Sequence, residues 1–161
     1  MGSSDSVQQR TFSLLRGQII DMELAPGTAM SVYELSEKLN VSRTPVREAF
    51  IRLSSESLVS ILPQRSTLVS KIDFSRVRQE RFLRVALELA AIPEFLKNLR
   101  PATLEAMRAV LKSQRDAVKN GDAVGMLRHD DAFHAAVFEV AGQVLSWGII
   151  EKMSGHYRRV R

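Results

Sequence analysis

The chain has 161 residues, of which 45% are hydrophobic and only 6% aromatic, and its formal net charge is +5. This length suits one large domain or two small ones, and the excess of positive charge suits a polyanionic partner. The absence of cysteine excludes disulfides and thiolate metal sites. Since no apolar run reaches membrane-spanning length and Met1–Ser6 lacks the features of a signal peptide, we expect a cytoplasmic protein with no membrane partner.

The first predicted element is a helix over about residues 7–22, because apolar side chains recur there at helical spacing. They are Phe12, Leu15, Ile19 and Met22. The helix is expected to end before Ala25-Pro26-Gly27-Thr28, since a Pro-Gly pair is a strong turn signal.

Two short helices joined by a tight turn are predicted next, within Ser31–Leu62. Ser31 and Glu34 form a Ser-x-x-Glu capping box, in which the serine oxygen accepts a free backbone N–H at the start of a helix. Asn40-Val41 breaks that helix, and Ser42 is placed to cap the next one. Pro45 falls in the first turn of the second helix, where its missing N–H costs little.

The second helix has an apolar face and a basic face. The apolar face, expected to pack inward, consists of Val46, Ala49, Phe50 and Leu53. Arg43 and Arg47 lie one turn apart on the opposite side, which is typical of a helix-turn-helix entering a DNA major groove N-terminus first. The predicted base or phosphate contacts are Ser42, Arg43, Thr44 and Arg47, with Arg52 as a further phosphate candidate. The alternative is an ordinary solvated basic face.

A β-hairpin is predicted after the second helix. Residues 58–62 and 67–70 are short β-prone runs, and Pro63-Gln64-Arg65-Ser66 connects them. A hairpin behind a helix-turn-helix is a wing, and Arg65 at its tip is placed to touch a phosphate or enter the minor groove. The alternative is a disordered charged tip.

Several segments together resemble the winged-helix domain of GntR-family bacterial transcription regulators. They are Leu24-Ala25-Pro26-Gly27-Thr28, Glu34-Leu35 and Val41-Ser42-Arg43-Thr44-Pro45-Val46-Arg47-Glu48-Ala49. The resemblance implies a winged helix-turn-helix domain over residues 1–70 and a homodimer that reads a double-stranded operator of two half-sites. Ser57 and Ser66 stand where the family usually has glycine, which tolerates positive φ more cheaply.

The remainder of the chain is almost entirely helical in pattern. Residues 71–73 are predicted to be a linker, and residues 74–161 an all-α bundle, which makes the fold mainly α. Its first helix carries one apolar stripe: Phe82, Val85, Leu89 and Ile92. Pro93 is expected at a bend or a helix end. Further helices are predicted from Leu104 to about Asn120, from about Ala123 to Val140, and from about Val144 to the end of the chain.

This half resembles the FCD ligand domain of the FadR-like branch of the GntR family. The signature residues are Arg84 and Glu88, then Asp130-Asp131-Ala132-Phe133-His134 followed by Ala141-Gly142. Gln143 stands where the family usually has asparagine. The resemblance implies a small-molecule effector, often an organic acid, and in many members a divalent metal. The family bundle normally continues for several more helices, so we expect an incomplete domain whose exposed apolar surface favours association.

Asp130 and His134 are the predicted metal ligands, because their i, i+4 spacing directs both from one helix face. Such a pair can bind Zn, Ni or Mn, but a tight site needs at least three protein ligands. In the family, the remaining metal ligands are histidines on later helices, and this sequence stops at Arg161 before the matching positions. The alternatives are a hydrogen-bonded core pair and half of an unfinished metal site.

The sequence therefore predicts a ligand-responsive, sequence-specific transcription regulator and not an enzyme. A metal-dependent enzyme using Asp130 and His134 is the alternative, but the sequence contains no nucleophile motif and no glycine-rich phosphate loop. A winged helix that mediates only protein contacts is a third possibility, and it predicts binding that is insensitive to salt.

Overall fold

The computed structural model describes the backbone of residues 2–62 and 66–161, and the side chains of residues 7–62 and 66–161. Within these residues the chain is mainly α-helical and has one small sheet. Its elements in chain order are α1 (Gly2–Ile20), β1 (Ala29–Met30), α2 (Val32–Leu39), α3 (Arg43–Ser55), β2 (Val59–Ile61), β3 (Thr67–Val69), α4 (Phe74–Asn98), α5 (Pro101–Lys119), α6 (Ala123–Val140), α7 (Val144–Met153) and α8 (Gly155–Val160).

The chain divides into two compact units. The first, the N-terminal unit, consists of the residues up to Val77 together with Gly155–Val160. The second, the helical unit, consists of Arg78–Ser154 together with Arg161. Among the helices of the described residues, none combines the length and the hydropathy that a membrane-spanning segment needs.

The core of the N-terminal unit forms where α1 packs against α3. The predicted apolar face of α3 is confirmed, because all four of its side chains are buried: Val46, Ala49, Phe50 and Leu53. From α1 the core receives Phe12, Leu15 and Ile19. Burying an aliphatic or aromatic side chain of this size contributes about 1.5–3 kcal/mol, so this packing holds α3 firmly in place.

A three-stranded antiparallel sheet with strand order β1-β3-β2 completes this unit. The predicted pairing of the two wing strands is confirmed, with Ser60 opposite Leu68. The additional strand β1 pairs Ala29 with Leu68 and Met30 with Thr67. At two residues, β1 is too short for sequence periodicity to predict it.

Several element boundaries differ from the sequence-based expectations: α1 begins at Gly2, before residue 7, and α5 begins at Pro101, before Leu104. Helix α1 ends at Ile20, and Met22 adopts a φ of 63° in the following turn, which takes it off the apolar stripe. Helix α4 continues through Pro93, which costs one backbone hydrogen bond without ending the helix. The final predicted helix is divided into α7 and α8 at Ser154.

The helical unit has a small core built from α4, α6 and α7. Its buried members are Ala91, Phe138, Ala141 and Ile150, with Leu87, Phe95 and Trp147 packed against them. The predicted stripe on α4 exists but faces outward, since Phe82 is 76% exposed and Leu89 is 63% exposed. We call this surface the α4 stripe; it consists of Phe82, Val85, Leu89, Ile92 and Leu96.

Candidate functional site

The leading turn of α3 presents its polar residues outward. Ser42 occupies the N-cap position, but its side chain makes no cap hydrogen bond, so the predicted side-chain cap is wrong. By contrast, the Ser31 Oγ accepts the Glu34 backbone N–H at 3.4 Å, as the capping box predicts. The hydroxyl of Ser42 is consequently not used in capping α3.

Arg43, Thr44 and Arg47 are exposed, whereas Pro45 and Val46 on the same turns are buried. The guanidinium of Arg43 lies 5.1 Å from the ring centroid of Tyr33 on α2, within range of a cation–π contact. Tyr33 is itself exposed. Tyr33 was not identified from the sequence as a partner of Arg43. The only signal for it in the sequence is its position in the first turn of α2.

Arg52 and Arg16 connect α3 to α1. The Arg52 guanidinium lies 3.6 Å from the ring centroid of Phe12 and donates a 3.0 Å hydrogen bond to Gln9 Oε1. Arg16 Nε lies 2.6 Å from Glu56 Oε2, and the Glu56 side chain is only 7% exposed. Both arginines therefore contribute to packing at the α1–α3 contact. For Arg52 this role is separate from its predicted phosphate contact.

Of the two serines that replace the family's glycines, Ser57 precedes the wing and Ser66 lies between its two strands. Ser57 adopts a φ of 60°, the left-handed conformation that glycine would adopt more cheaply. It lies between the C-cap residue Glu56 and the buried Leu58. Arg65 lies outside the described residues, so its predicted DNA contact stays a prediction.

In the helical unit, the predicted ligand-domain residues come together in an ion-pair cluster. It consists of Arg84, Glu88, Asp130, Asp131, His134 and Arg161. Arg84 Nε lies 2.7 Å from Glu88 Oε1, and Arg84 Nη1 lies 3.3 Å from Asp131 Oδ1. His134 Nδ1 lies 2.8 Å from Glu88 Oε1. Arg161, which the sequence did not identify, pairs with both Asp130 and Asp131.

Charge pairing offsets burial at two members of this cluster. Burial alone would raise the pKa of Glu88, but hydrogen bonds from His134 and Arg84 outweigh it and lower the pKa below its usual 4.5. Burial alone would lower the pKa of Arg84, but Glu88, Asp131 and Asp130 raise it above its ordinary value. Glu88 and Arg84 are therefore both held in their charged forms.

The predicted metal ligands do not by themselves make up a metal site. His134 Nε2 lies 3.8 Å from Asp130 Oδ2, so the pair shares one face of α6 as expected. However, the same Asp130 oxygen is paired with the guanidiniums of Arg161 and Arg84. The residues that the structure describes contain no group of three or more His, Cys, Asp or Glu able to hold a metal.

The fold and the exposed basic turn define a winged helix-turn-helix protein with an appended helical domain. Residues 7–69 match the family described as bacterial regulatory proteins, gntR family, and residues 81–161 match the FCD domain. The chain therefore belongs to the GntR family of transcription regulators and carries an FCD ligand-binding domain. This confirms the family resemblance and the fold class predicted from the sequence.

The chain is similar to several proteins that are named as transcription regulators. The HTH-type transcriptional repressor RspR of Escherichia coli strain K12 is 34% identical over 161 residues, covering 100% of this chain and 71% of RspR. The solved structure of E. coli McbR/YncC is similar, with a TM-score of 0.81 and 25% identity, over 96% of this chain and 71% of that one. A putative GntR regulator from Rhodococcus sp. RHA1 has a TM-score of 0.79 and 25% identity, over 96% of this chain and 74% of that one.

Proposed function

We propose that this regulator binds double-stranded operator DNA through the leading turn of α3, with Ser42, Arg43, Thr44 and Arg47 contacting the major groove. The observation that carries the proposal is the exposure of Arg43 and Arg47 on the side of α3 opposite its buried residues. A helix presented in this way enters a major groove with its N-terminal residues toward the base edges. An arginine there can hold O6 and N7 of a guanine bidentately.

Two arginines outside the leading turn extend this proposed surface. Arg52 is exposed on α3 while its guanidinium rests on Phe12, and we assign it a phosphate contact. We also assign a DNA backbone or minor-groove contact to Arg65, because its position in the sequence lies between the wing strands β2 and β3. Phosphate contacts of this kind fix the register of a protein on DNA without reading its sequence.

The test is selection of binding sites from a pool of randomised DNA duplexes, followed by equilibrium titration of the best duplex. We expect enrichment of a defined sequence that binds at least about a thousandfold more tightly than the unselected pool. Equal affinity for the selected duplex and the pool would contradict sequence-specific binding. An Arg43→Ala, Arg47→Ala double variant serves as the control for binding through α3.

We further propose that the chain acts as a homodimer joined through the α4 stripe. The stripe residues follow one another at alternating spacings of three and four, which is the pattern of a helix–helix seam. Their exposure in a single chain favours association, because exposed apolar patches of this kind mark interaction surfaces. A two-fold dimer would present two copies of α3 to half-sites about one helical turn apart.

We propose that the effector is a small organic acid that competes with Asp130 and Asp131 for the guanidiniums of Arg84 and Arg161. Both arginines already bind carboxylates in this cluster, so a carboxylate ligand meets groups suited to it. A thermal-shift screen with simple mono- and dicarboxylates tests this. We expect stabilisation that is lost in Arg84→Gln and kept in Arg108→Gln, whose guanidinium is exposed on α5. A screen in which no carboxylate raises the melting temperature would contradict the proposal.

A divalent ion (Zn, Ni or Mn) is a second candidate ligand of the same cluster. The observation in its favour is the Glu88–His134 contact, since a carboxylate on Nδ1 leaves Nε2 free to bind a metal. Asp130 would have to exchange its guanidinium partners for the ion, and a third ligand would be needed. In native mass spectrometry, a one-to-one metal adduct lost in His134→Ala would support the ion. A metal-free protein after incubation with Zn, Ni and Mn would exclude it.

We infer a regulatory role and not an enzymatic one. The named relatives are transcription regulators. An enzyme centred on Asp130 and His134 would need further groups, and these two side chains are engaged with arginines and with Glu88 instead.

A further inference from the structure

Helix α8 lies in the part of the sequence that matches the FCD domain, yet it packs within the N-terminal unit. It contacts α1, and three of its six residues are buried: Gly155, His156 and Arg159. Gly155 sits so close to Leu58 that an added Cβ would lie 2.7 Å from Leu58 Cδ2. The chain of the ligand domain thus contributes directly to the packing of the DNA-binding domain.

His156 joins two backbone positions of the N-terminal unit. The Asp73 N–H donates to His156 Nδ1 at 3.0 Å, and His156 Nε2 lies 3.1 Å from the Ser57 carbonyl oxygen. Because Nδ1 accepts a hydrogen bond, the ring proton lies on Nε2 and is donated to Ser57. His156 is 2% exposed, so both hydrogen bonds are partly shielded from water.

Arg159 adds a third backbone position. Its Nη1 donates to the Ser70 carbonyl at 2.7 Å, and its Nη2 lies 3.1 Å from His156 Nδ1. We call these contacts the α8 clasp; it consists of His156 and Arg159 with Ser57, Ser70 and Asp73. The clasp therefore reaches the end of α3, the end of β3 and the start of α4.

Two of the clasped positions, Ser57 and Asp73, lie where the chain changes direction. Ser57 has a φ of 60°, which serine adopts at a cost, and it turns the chain from α3 into β2. Asp73 begins α4, since its Oδ1 accepts the backbone N–H groups of Ser75 at 2.8 Å and Arg76 at 3.2 Å. Fixing Ser57 therefore fixes the turn from α3 into the wing, and fixing Asp73 fixes where α4 begins.

We propose that His156 is a positioning residue of the DNA-binding site, acting with Arg159 to hold Ser57 and Asp73. His156 does not touch DNA; it stabilises the turn that joins α3 to the wing, so DNA affinity depends on where α8 lies. Since α8 belongs to the FCD region of the sequence, an effector that displaces α8 would change DNA affinity through this residue. The inference rests on the proposed DNA-binding function.

The first test needs no DNA. In His156→Phe, which keeps a ring but removes both nitrogens, we expect the Asp73 amide to exchange with solvent at least about tenfold faster than in the wild type. Long-range proton–nitrogen NMR spectra of the wild type should show the neutral ring with its proton on Nε2. Val160→Ala, at an exposed position of α8, is the matched control and should leave Asp73 exchange unchanged. Unchanged exchange in His156→Phe would overturn the clasp.

The second test is a double-mutant cycle of DNA affinity with the selected duplex. His156→Phe should weaken binding about tenfold, the effect of losing about one buried hydrogen bond. Ser57→Gly relieves the strained φ, so the same histidine substitution should cost less than about threefold in a Ser57→Gly background. His156→Gln, which keeps a donor and an acceptor, should rescue most of the affinity.

The outcomes separate the two proposals. If His156→Phe weakens DNA binding tenfold in the Ser57→Gly background as well as in the wild type, His156 does not act through the Ser57 turn. Affinity within twofold of the wild type for His156→Phe would overturn the positioning role. A wild-type chain that binds no duplex would instead contradict the proposed function, while Asp73 exchange would still report on the clasp.

Discussion

At the scale of single residues, α3 packs into the core with one face and presents its proposed DNA-contacting arginines on the opposite face. Val46, Ala49 and Leu53 fix the helix against α1, and Arg43 and Arg47 are left on the solvent side. Because the buried side chains leave little freedom of rotation to α3, the two guanidiniums are presented from a rigid support. The stability of the core and the proposed DNA contacts can therefore be perturbed independently.

Replacing Arg47 tests its proposed contact with a base. Arg47→Ala should cost about 1–3 kcal/mol of affinity for the selected duplex and relax selectivity at one base pair. Arg108→Ala removes an arginine of equal charge from an exposed position on α5 and should leave affinity nearly unchanged. Isothermal titration with the selected duplex and single-base variants measures both effects. Equal losses for the two variants would remove Arg47 from the list of base contacts.

Replacing Glu56 tests the ion pair that joins α1 to the end of α3. Glu56→Gln should destabilise the N-terminal unit by about 1–3 kcal/mol, because Arg16 loses a nearly buried charged partner. Glu105→Gln breaks an exposed pair with Arg108 and should cost less than about 1 kcal/mol. Urea unfolding followed by circular dichroism compares the two variants. If Glu56→Gln had the same free energy of unfolding as the wild type, the Arg16–Glu56 pair would contribute little to stability.

Acidification tests the charge state of Glu88. Its pKa in the folded chain is lowered from 4.5, so its contribution to stability is complete above about that pH and is lost as the pH falls through the lowered value. We expect thermal stability of the helical unit to fall below pH 4.5. Glu88→Gln should be less stable than the wild type at neutral pH and should show a shallower fall on acidification. Parallel pH profiles for the two chains would contradict this assignment.

At the scale of elements, periodicity predicted most helices, because each has an apolar face of regular spacing. It did not predict β1, which is two residues long and depends on pairing with β3. It also missed the break at Ser154, since apolar and basic residues continue across it. The stripe on α4 was predicted, and an exposed apolar surface was expected in this domain, but spacing alone did not reveal that the stripe on α4 is exposed.

The sequence predicted the exposed basic turn in the N-terminal unit, but it did not predict the ion pairs in the helical unit. The basic turn of α3 is a local pattern, and its expected exposure on α3 is seen in the structure. The ion-pair cluster joins Arg84 to Asp130 and Asp131 across 46 and 47 positions, and such long-range contacts leave no local signature. The same reason explains why the α8 clasp, which joins Ser57 to His156 across 99 positions, was not anticipated.

Disrupting the α4 stripe tests the proposed dimer. Leu89→Glu places a charge in the middle of the stripe and should shift the chain from dimer to monomer in light scattering coupled to size-exclusion chromatography. Val118→Glu introduces the same charge at a similarly exposed position on α5 and should leave the dimer intact. Dissociation by both variants would point to a different surface, and a wild-type monomer would contradict the proposal.

At the scale of the whole molecule, net charge and family agree on a polyanionic partner. The chain carries 23 Lys and Arg against 18 Asp and Glu, and it belongs to a family of transcription regulators. Charge alone does not distinguish DNA binding from other electrostatic contacts. The distinguishing feature is the release of counterions from DNA phosphates, which makes affinity depend steeply on salt concentration.

A salt series with the selected duplex tests whether the exposed turn of α3 binds DNA. We predict that the logarithm of the binding constant falls linearly with the logarithm of salt concentration, by about 0.9 for each phosphate neutralised. The Arg43→Ala, Arg47→Ala double variant should bind more weakly, with a shallower slope where either arginine contacts a phosphate. Affinity that stays constant between about 50 and 200 mM salt would contradict DNA binding by α3 and favour a winged helix that binds protein.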